Sequence, residues 1–215
     1  MRNHVLNAVS VAIALATLAV PASPVHAAAS AAFFARIGVG HVSPQGDGGA
    51  LSGVPGGSVE AGNATTVAFT VGYMLTPRIG VELLGSLPFT HEVDGSGTLS
   101  AAGEVVEAKQ LPPTLMAVFN PMPNANVRPY FGAGVNYTIF FDEEGKGVLA
   151  GTDVHLDNSF GPAIEVGVDV DLGGNWFANA AVWYMDIDTT ATTAVGTADV
   201  AIDPFVVTLG VGTRF

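Results

Sequence analysis

The chain of 215 residues contains no cysteine, 27 glycines, 13 prolines and only 12% charged residues, yet its formal net charge is −12. Soluble chains carry about 25% charged residues, whereas a wall facing lipid has few and confines them to loops and lumen. Seven lysines and arginines are too few for a phosphate-binding footprint, which excludes nucleic acid as a partner, and the lack of cysteine excludes disulfides and thiol chemistry.

The first 27 residues read as a secretory signal. Arg2 supplies a positive start, Ala8 to Val20 a short apolar run, and Pro21 to Ala27 a cleavage region with small residues Val25 and Ala27 at its −3 and −1 places. Cleavage is expected after Ala27, with Ala22 as second choice, leaving residues 28–215 as the mature domain. An anchoring helix is the rival reading, but the apolar run falls short of the roughly 20 residues a spanning helix needs and ends at Pro21 and Pro24. Sec-type export and cleavage leave six basic residues against nineteen acidic ones.

From Phe33 onward apolar and polar residues alternate with period two in eight segments: 33–42, 64–75, 78–90, 110–120, 128–141, 158–171, 176–188 and 202–215. In the last, Phe205, Val207, Leu209, Val211 and Phe215 share one face, and Val206, Thr208, Gly210, Gly212 and Arg214 share the other. The connections alternate in length. Those at 43–63, 91–109, 142–157 and 189–201 are long and rich in Gly, Ser, Thr and acids; those near Thr76-Pro77, Asn120 to Val127 and Gly173-Gly174-Asn175 are short. This pattern predicts an all-β fold, an eight-stranded antiparallel transmembrane β-barrel with long external loops, short periplasmic turns and both termini in the periplasm. A soluble barrel would need a charged outer face. Here the face opposite Glu82, Glu165 and Asp169 is apolar, with Tyr73, Phe131, Tyr137 and Trp176 as interface aromatics.

Several segments carry a resemblance. They are Gly80-Val81-Glu82-Leu83-Leu84, Leu111-Pro112-Pro113-Thr114-Leu115-Met116-Ala117, Arg128-Pro129-Tyr130-Phe131-Gly132-Ala133-Gly134-Val135-Asn136-Tyr137-Thr138 and Val182-Trp183-Tyr184-Met185-Asp186-Ile187-Asp188, followed by Ile202-Asp203-Pro204-Phe205 and a terminal Gly-x-x-Arg-Phe. Together they resemble the outer-membrane protein W (OmpW) family across the mature chain. The resemblance implies an eight-stranded outer-membrane barrel with an apolar channel, linked to uptake of small hydrophobic compounds. The chain departs from the family pattern in its acidic, Gly-, Ser- and Ala-rich second external loop and in Thr213, which stands near the end where an aromatic is usual.

An ion in the lipid midplane costs about 2 to 4 kcal/mol, so charged residues fix which face of each strand points inward. On that basis Arg36, Glu82, Glu165, Asp169 and Arg214 face the lumen and are expected to pair as an ion cluster that closes it. The alternative is a wet pore with separately solvated charges. The same parity puts Leu84, Met116, Trp183 and Met185 inside, beside Thr70, Thr114, Asn136 and Asn179, as an apolar ligand channel or as simple filling of a narrow barrel. Pro88, Pro112 and Pro113 lack the N–H a ladder needs and mark a candidate side opening, or else only strand ends; Pro162 is a further candidate. Phe215, lipid-facing at the terminus, is the candidate assembly signal.

The function expected is passive carriage of small apolar ligands without cofactor or metal. The alternative is a surface receptor or adhesion platform anchored by a closed barrel. Catalysis finds no support, since neither His41, His91 nor His155 sits in a motif that names a nucleophile or metal site. Expected partners are the lipid bilayer, lipopolysaccharide and the outer-membrane assembly machinery, with the barrel a monomer.

Overall fold

The computed structural model describes residues 33–215, and the predicted signal segment lies outside the described residues. In chain order the strands are β1 (Phe33–Ser43), β2 (Gly49–Ala50), β3 (Gly57–Ala61), β4 (Ala64–Met74), β5 (Ile79–Ser86), β6 (Phe89–Gly97), β7 (Glu104–Leu111), β8 (Thr114–Phe119), β9 (Val127–Gly145), β10 (His155–Leu156), β11 (Ser159–Gly173), β12 (Trp176–Met185), β13 (Asp188–Thr193), β14 (Gly196–Ala201) and β15 (Phe205–Arg214). Eight of them form the wall in the order β11-β12-β15-β1-β4-β5-β8-β9, and pairing of β9 with β11 closes the ring. Every neighbouring pair is antiparallel.

Alternation gives this wall two unlike faces. On β15, Phe205, Val207, Leu209 and Val211 lie on the exposed outer face while Val206 is buried inside. The outer band continues around the ring through Ile37, Val39, Phe69, Val71, Leu115, Phe131, Ile164 and Val166, all exposed. No soluble protein leaves so continuous an apolar belt in water. Closure supplies the complementary requirement, because strand pairing runs around the ring from β11 back to β9 and leaves no free edge strand against lipid. No helix among the described residues is long and apolar enough to cross a membrane; the crossing is made by strands. Tyr73, Phe131, Tyr137 and Trp176 all lie on the outer face, and Tyr73 packs on Phe33 with ring centroids 4.6 Å apart.

The four long connections differ from the sequence expectation. They are not irregular loops but strands β2, β3, β6, β7, β10, β13 and β14, which build an upper tier on the barrel. The 19-residue strand β9 runs through both tiers: its lower part pairs with β8 and β11, its upper part with β7. One sheet of the tier continues from β7 to β6, β3 and β2, and a second comprises β10, β13 and β14. A Gly48–Ala201 bridge and the bond from Ser52 N–H to Thr197 O (2.9 Å) join them. These strands stand in water, so their outer faces are polar and only their inner faces apolar; that composition reads as loop in the sequence.

Two predicted segments are split. The 78–90 segment breaks after Ser86 and resumes at Phe89, and the 110–120 segment begins a new strand only at Thr114. Both interruptions contain the prolines. The last segment starts at Phe205 rather than 202, because Asp203 adopts a positive φ of 38° and Pro204 follows it. The 176–188 segment likewise ends its wall strand at Met185.

Candidate channel: an ion lock below an apolar chamber

At the periplasmic end charged side chains meet across the lumen, beside a cavity of about 140 Å³ that Arg36, Arg128, Asp169 and Arg214 help to line. Arg36 on β1 donates to Glu82 Oε2 on β5 at 2.7 Å and to Asp169 Oδ1 on β11 at 3.3 Å. Arg214 on β15 bonds Asp169 Oδ2 and Asp171 Oδ1, both at 3.1 Å. Arg128 on β9 makes a bidentate pair with Asp171. Asn179 on β12 donates to Asp169 Oδ1 and to the Tyr130 hydroxyl, each at 2.9 Å. Aromatic faces complete the packing: the Arg36 guanidinium lies 4.5 Å from the Phe34 ring and 4.6 Å from the Tyr130 ring, and that of Arg214 lies 4.0 Å from Phe177. Glycine makes room for these rings. A side chain at Gly167 would collide with Tyr130, and one at Gly132 with the Glu165 carboxylate.

Four of the five charges expected in the lumen, Arg36, Glu82, Asp169 and Arg214, are thus brought into one network. Glu165 faces inward and is buried, but neither of its carboxylate oxygens has a hydrogen-bond partner among the described residues. Arg128, Asp171 and Tyr130 belong to the network and were missed. Arg128 and Asp171 share the parity of Tyr130 and Asp169; they sit beside the short turns, where charge reads as solvated turn.

Above the lock the barrel is solid. Trp183, Met116 and Met185 are each only 1% exposed, and Leu84 is buried with them. Asn136 donates to Thr114 Oγ1 (2.9 Å), Thr114 to the Pro112 carbonyl (3.0 Å) and Thr138 to Asn136 Oδ1 (2.7 Å), so polar groups at this level are mostly satisfied within the plug. These four apolar residues lie beneath an apolar cavity and are not part of its lining; Leu84 borders only a crevice of about 20 Å³.

An apolar cavity lies higher, inside the upper tier. It measures about 180 Å³, and its walls are hydrocarbon from Leu51, Val59, Val106, Leu149, Ala198, Val200 and their neighbours. Sequence reasoning did not find it, because its lining comes from the stretches taken for loops. At its lower edge His91 Nδ1 lies 2.8 Å from the Gly62 carbonyl, and His91 Nε2 lies 3.0 Å from Gln110 Nε2. Burial lowers the pKa of His91 below the ordinary imidazole value.

Beside this level the wall ladder is interrupted. Leu84 pairs with Thr114 and Phe89 with Gln110, but the residues between, including Pro88, Pro112 and Pro113, carry no strand pairing to one another. Ser86 Oγ is buried there without a partner among the described residues. Pro162 behaves differently: the register of β11 with β9 runs on through it. At the terminus, Phe215 N–H donates to the Phe33 carbonyl at 2.9 Å, and its ring is exposed on the outer face.

The family model described as the OmpW family matches residues 29–215. Outer membrane protein W of Vibrio cholerae is 40% identical over 206 residues, which covers 92% of this chain and 94% of the relative. The dibenzothiophene metabolism operon protein PahQ of Pseudomonas aeruginosa is 30% identical over 169 residues, 75% of this chain and 77% of the relative. Among solved structures, the crystal structure of the outer membrane protein OprG from Pseudomonas aeruginosa superposes with a TM-score of 0.78 at 37% identity, covering 86% of this chain and 96% of that one.

Proposed function

Because the chain belongs to the OmpW family of outer-membrane barrels, we propose that it is a passive carrier that takes small hydrophobic molecules from outside into the upper chamber and releases them sideways into the bilayer. The observation that carries this reading is the chamber itself, walled by hydrocarbon and closed below by the packed floor and the ion lock. An apolar void of about 150 Å³ in a protein interior stays dry and binds benzene, so a chamber of 180 Å³ suits a molecule of one or two rings or a short chain. Burying about 150 Å² of such a ligand contributes roughly 4 kcal/mol, enough to hold it and weak enough to let it go. A straight path downward would cross three arginines and their carboxylate partners, which no apolar molecule displaces favourably. The ladder interruption at Pro88, Pro112 and Pro113 supports a sideways exit, since strand pairing is absent across that seam. The name of one relative, taken from a dibenzothiophene metabolism operon, agrees in ligand chemistry.

The test is uptake of a small apolar probe by proteoliposomes with and without the protein, with ionic conductance measured on the same preparation. Probe entry above the bare-bilayer rate with low conductance supports carriage. High conductance means a water-filled porin, and neither activity means a closed anchor whose loops act as a receptor. We read the mature chain as a monomer exported by its N-terminal signal, in contact with lipopolysaccharide and handed to the assembly machinery through Phe215. Deleting Phe215 is expected to lower the amount of assembled protein in the outer membrane while export continues; unchanged assembly overturns that role.

A further inference from the structure

Four connections cap the chamber at its outer end, and each lends it hydrocarbon: 51–56 through Val54, 98–103 through Leu99, 146–154 through Leu149 and 194–195 through Val195. Three of the four are fastened to one another. Thr98 N–H donates to the Gly56 carbonyl at 2.9 Å and Thr98 Oγ1 to the Pro55 carbonyl at 3.1 Å; Ser52 N–H donates to the Thr197 carbonyl and Thr197 N–H to Ser52 Oγ, both at 2.9 Å. The fourth is not. Residues 147–154 bond locally, with Leu149 N–H donating to the Lys146 carbonyl and Thr152 N–H and Oγ1 to the Leu149 carbonyl, and among the described residues no hydrogen bond joins this stretch to the other three connections. Its flanks are loosely held as well. β9 and β10 carry no strand pairing to each other, and two side chains bridge them, Glu143 Oε1 accepting from Leu156 N–H at 3.4 Å and Asn158 Oδ1 from Phe140 N–H at 3.1 Å.

The chamber meets the surface at the same place. Most of its lining is buried or half-buried, but Val148 is 67% exposed and Val195 is 43% exposed. One stands on the unfastened connection and the other on a fastened one. We propose that apolar molecules enter the chamber through the gap that these two valines rim, and that residues 147–154 are its lid. The inference rests on the carriage reading and supplies its entrance. A segment with few hydrogen bonds to its surroundings opens at a lower free energy than the sheet around it, so this rim moves while the Val195 rim stays fixed. Gly147 and Gly151, both at positive φ, give the lid turning points that a side chain would restrict. The two valines offer an arriving molecule hydrocarbon before it has left water.

The chain contains no cysteine, so one introduced thiol can be addressed on the folded protein. Val148→Cys, Val195→Cys and a control at the exposed Ala101, Ala101→Cys, are conjugated in lipid nanodiscs with a bulky polyethylene glycol maleimide and mixed with naphthalene. Conjugation at either rim position should slow naphthalene association about tenfold, within the range over which on-rates vary at one binding site, whereas conjugation at Ala101 should leave the rate of the unconjugated variant. The lid is read separately. Leu149 and Val200 both line the chamber and are 6% and 7% exposed, but Leu149 lies on the lid and Val200 on β14. Leu149→Cys should react with a small thiol reagent about tenfold faster than Val200→Cys. Equal effects of conjugation at all three positions overturn the entrance, and equal reactivity of the two buried thiols overturns the lid; in either case naphthalene binding by the parent leaves carriage standing. Failure of the parent to bind naphthalene beyond its partition into empty nanodiscs overturns carriage as well.

Discussion

The two halves of the interior solve opposite problems with the same alternating strands. In the lower half, guanidinium and carboxylate side chains from five wall strands meet across the axis, and inward glycines such as Gly132 and Gly167 make room for the large groups beside them. In the upper half the inward residues are mostly small or branched hydrocarbons, and space is left between them. A ring of eight strands is narrow enough to be filled when its inward side chains are long. It becomes a chamber only where they are short and where the strands continue beyond the membrane into the tier of β2, β3, β6, β7, β10, β13 and β14. Within one barrel, side-chain length rather than strand number decides between seal and vessel.

Breaking the seal should have the largest effect. Asp169 holds Arg36, Arg214 and Asn179 at once, so Asp169→Ala removes one of the two carboxylates on each guanidinium and leaves Arg36 with Glu82 and Arg214 with Asp171. Losing one partner of a buried pair costs about 3 to 5 kcal/mol, and water should enter to solvate the remaining charge. Denaturant titration should show the loss of stability, and planar-bilayer recordings should show raised conductance with no gain in apolar uptake. A variant as stable and as tight to ions as the parent would mean the cluster is not a seal.

Spoiling the vessel should act the other way. Val106→Arg puts a charge into the hydrocarbon lining, and denying a ligand about 60 Å² of apolar contact removes roughly 1.5 kcal/mol, close to tenfold in occupancy. Probe uptake should fall by that order while conductance stays low. Uptake unchanged in a variant shown to be folded places the path outside the chamber.

A smaller effect is expected where the two halves meet. Pro112→Ala with Pro113→Ala returns two N–H donors, of which that of residue 112 can face the interrupted seam, since the Pro113 carbonyl already accepts from Tyr137 N–H on β9; one added wall hydrogen bond of about 1 kcal/mol would slow a sideways exit about fivefold. If these variants, at equal abundance, carry the probe as fast as the parent while the Asp169 variant carries it faster, the route is straight through.

The smallest effect is set by pH. The folded state binds a proton at His91 more weakly than the unfolded chain does, since burial lowers its pKa below the ordinary value of 6.5. The upper tier should therefore show no dependence on this residue above that value and lose stability as the pH falls below it. Hydrogen exchange of β6 and β7 at pH 7.5 and 5.5 reads this directly, and His91→Asn should flatten the difference. The Asp169 cluster lies in the other half, so its amides serve as the internal control.

The sequence by itself determined the number of wall strands, their antiparallel order and the side on which each wall residue lies, because a period of two carries that information locally and lipid penalises every charge on the wrong face. Leu84, Met116, Trp183 and Met185 could be read as inward for this reason, as could Arg36, Glu82, Glu165, Asp169 and Arg214. What parity does not contain is height. Only the stagger of the strands around the closed ring decides that Arg128 and Asp171 join the lock, that Glu165 does not, and that the four apolar residues form a floor beneath a chamber lined by other residues. The tier above escaped the reading for a second reason: strands standing in water carry polar residues on their outer face, so Val106, Leu149 and Val200 lie among glycines, acids and threonines that look like loop. His91 and Gln110 are 19 residues apart and meet only because β6 and β7 pair in a register that tertiary structure sets.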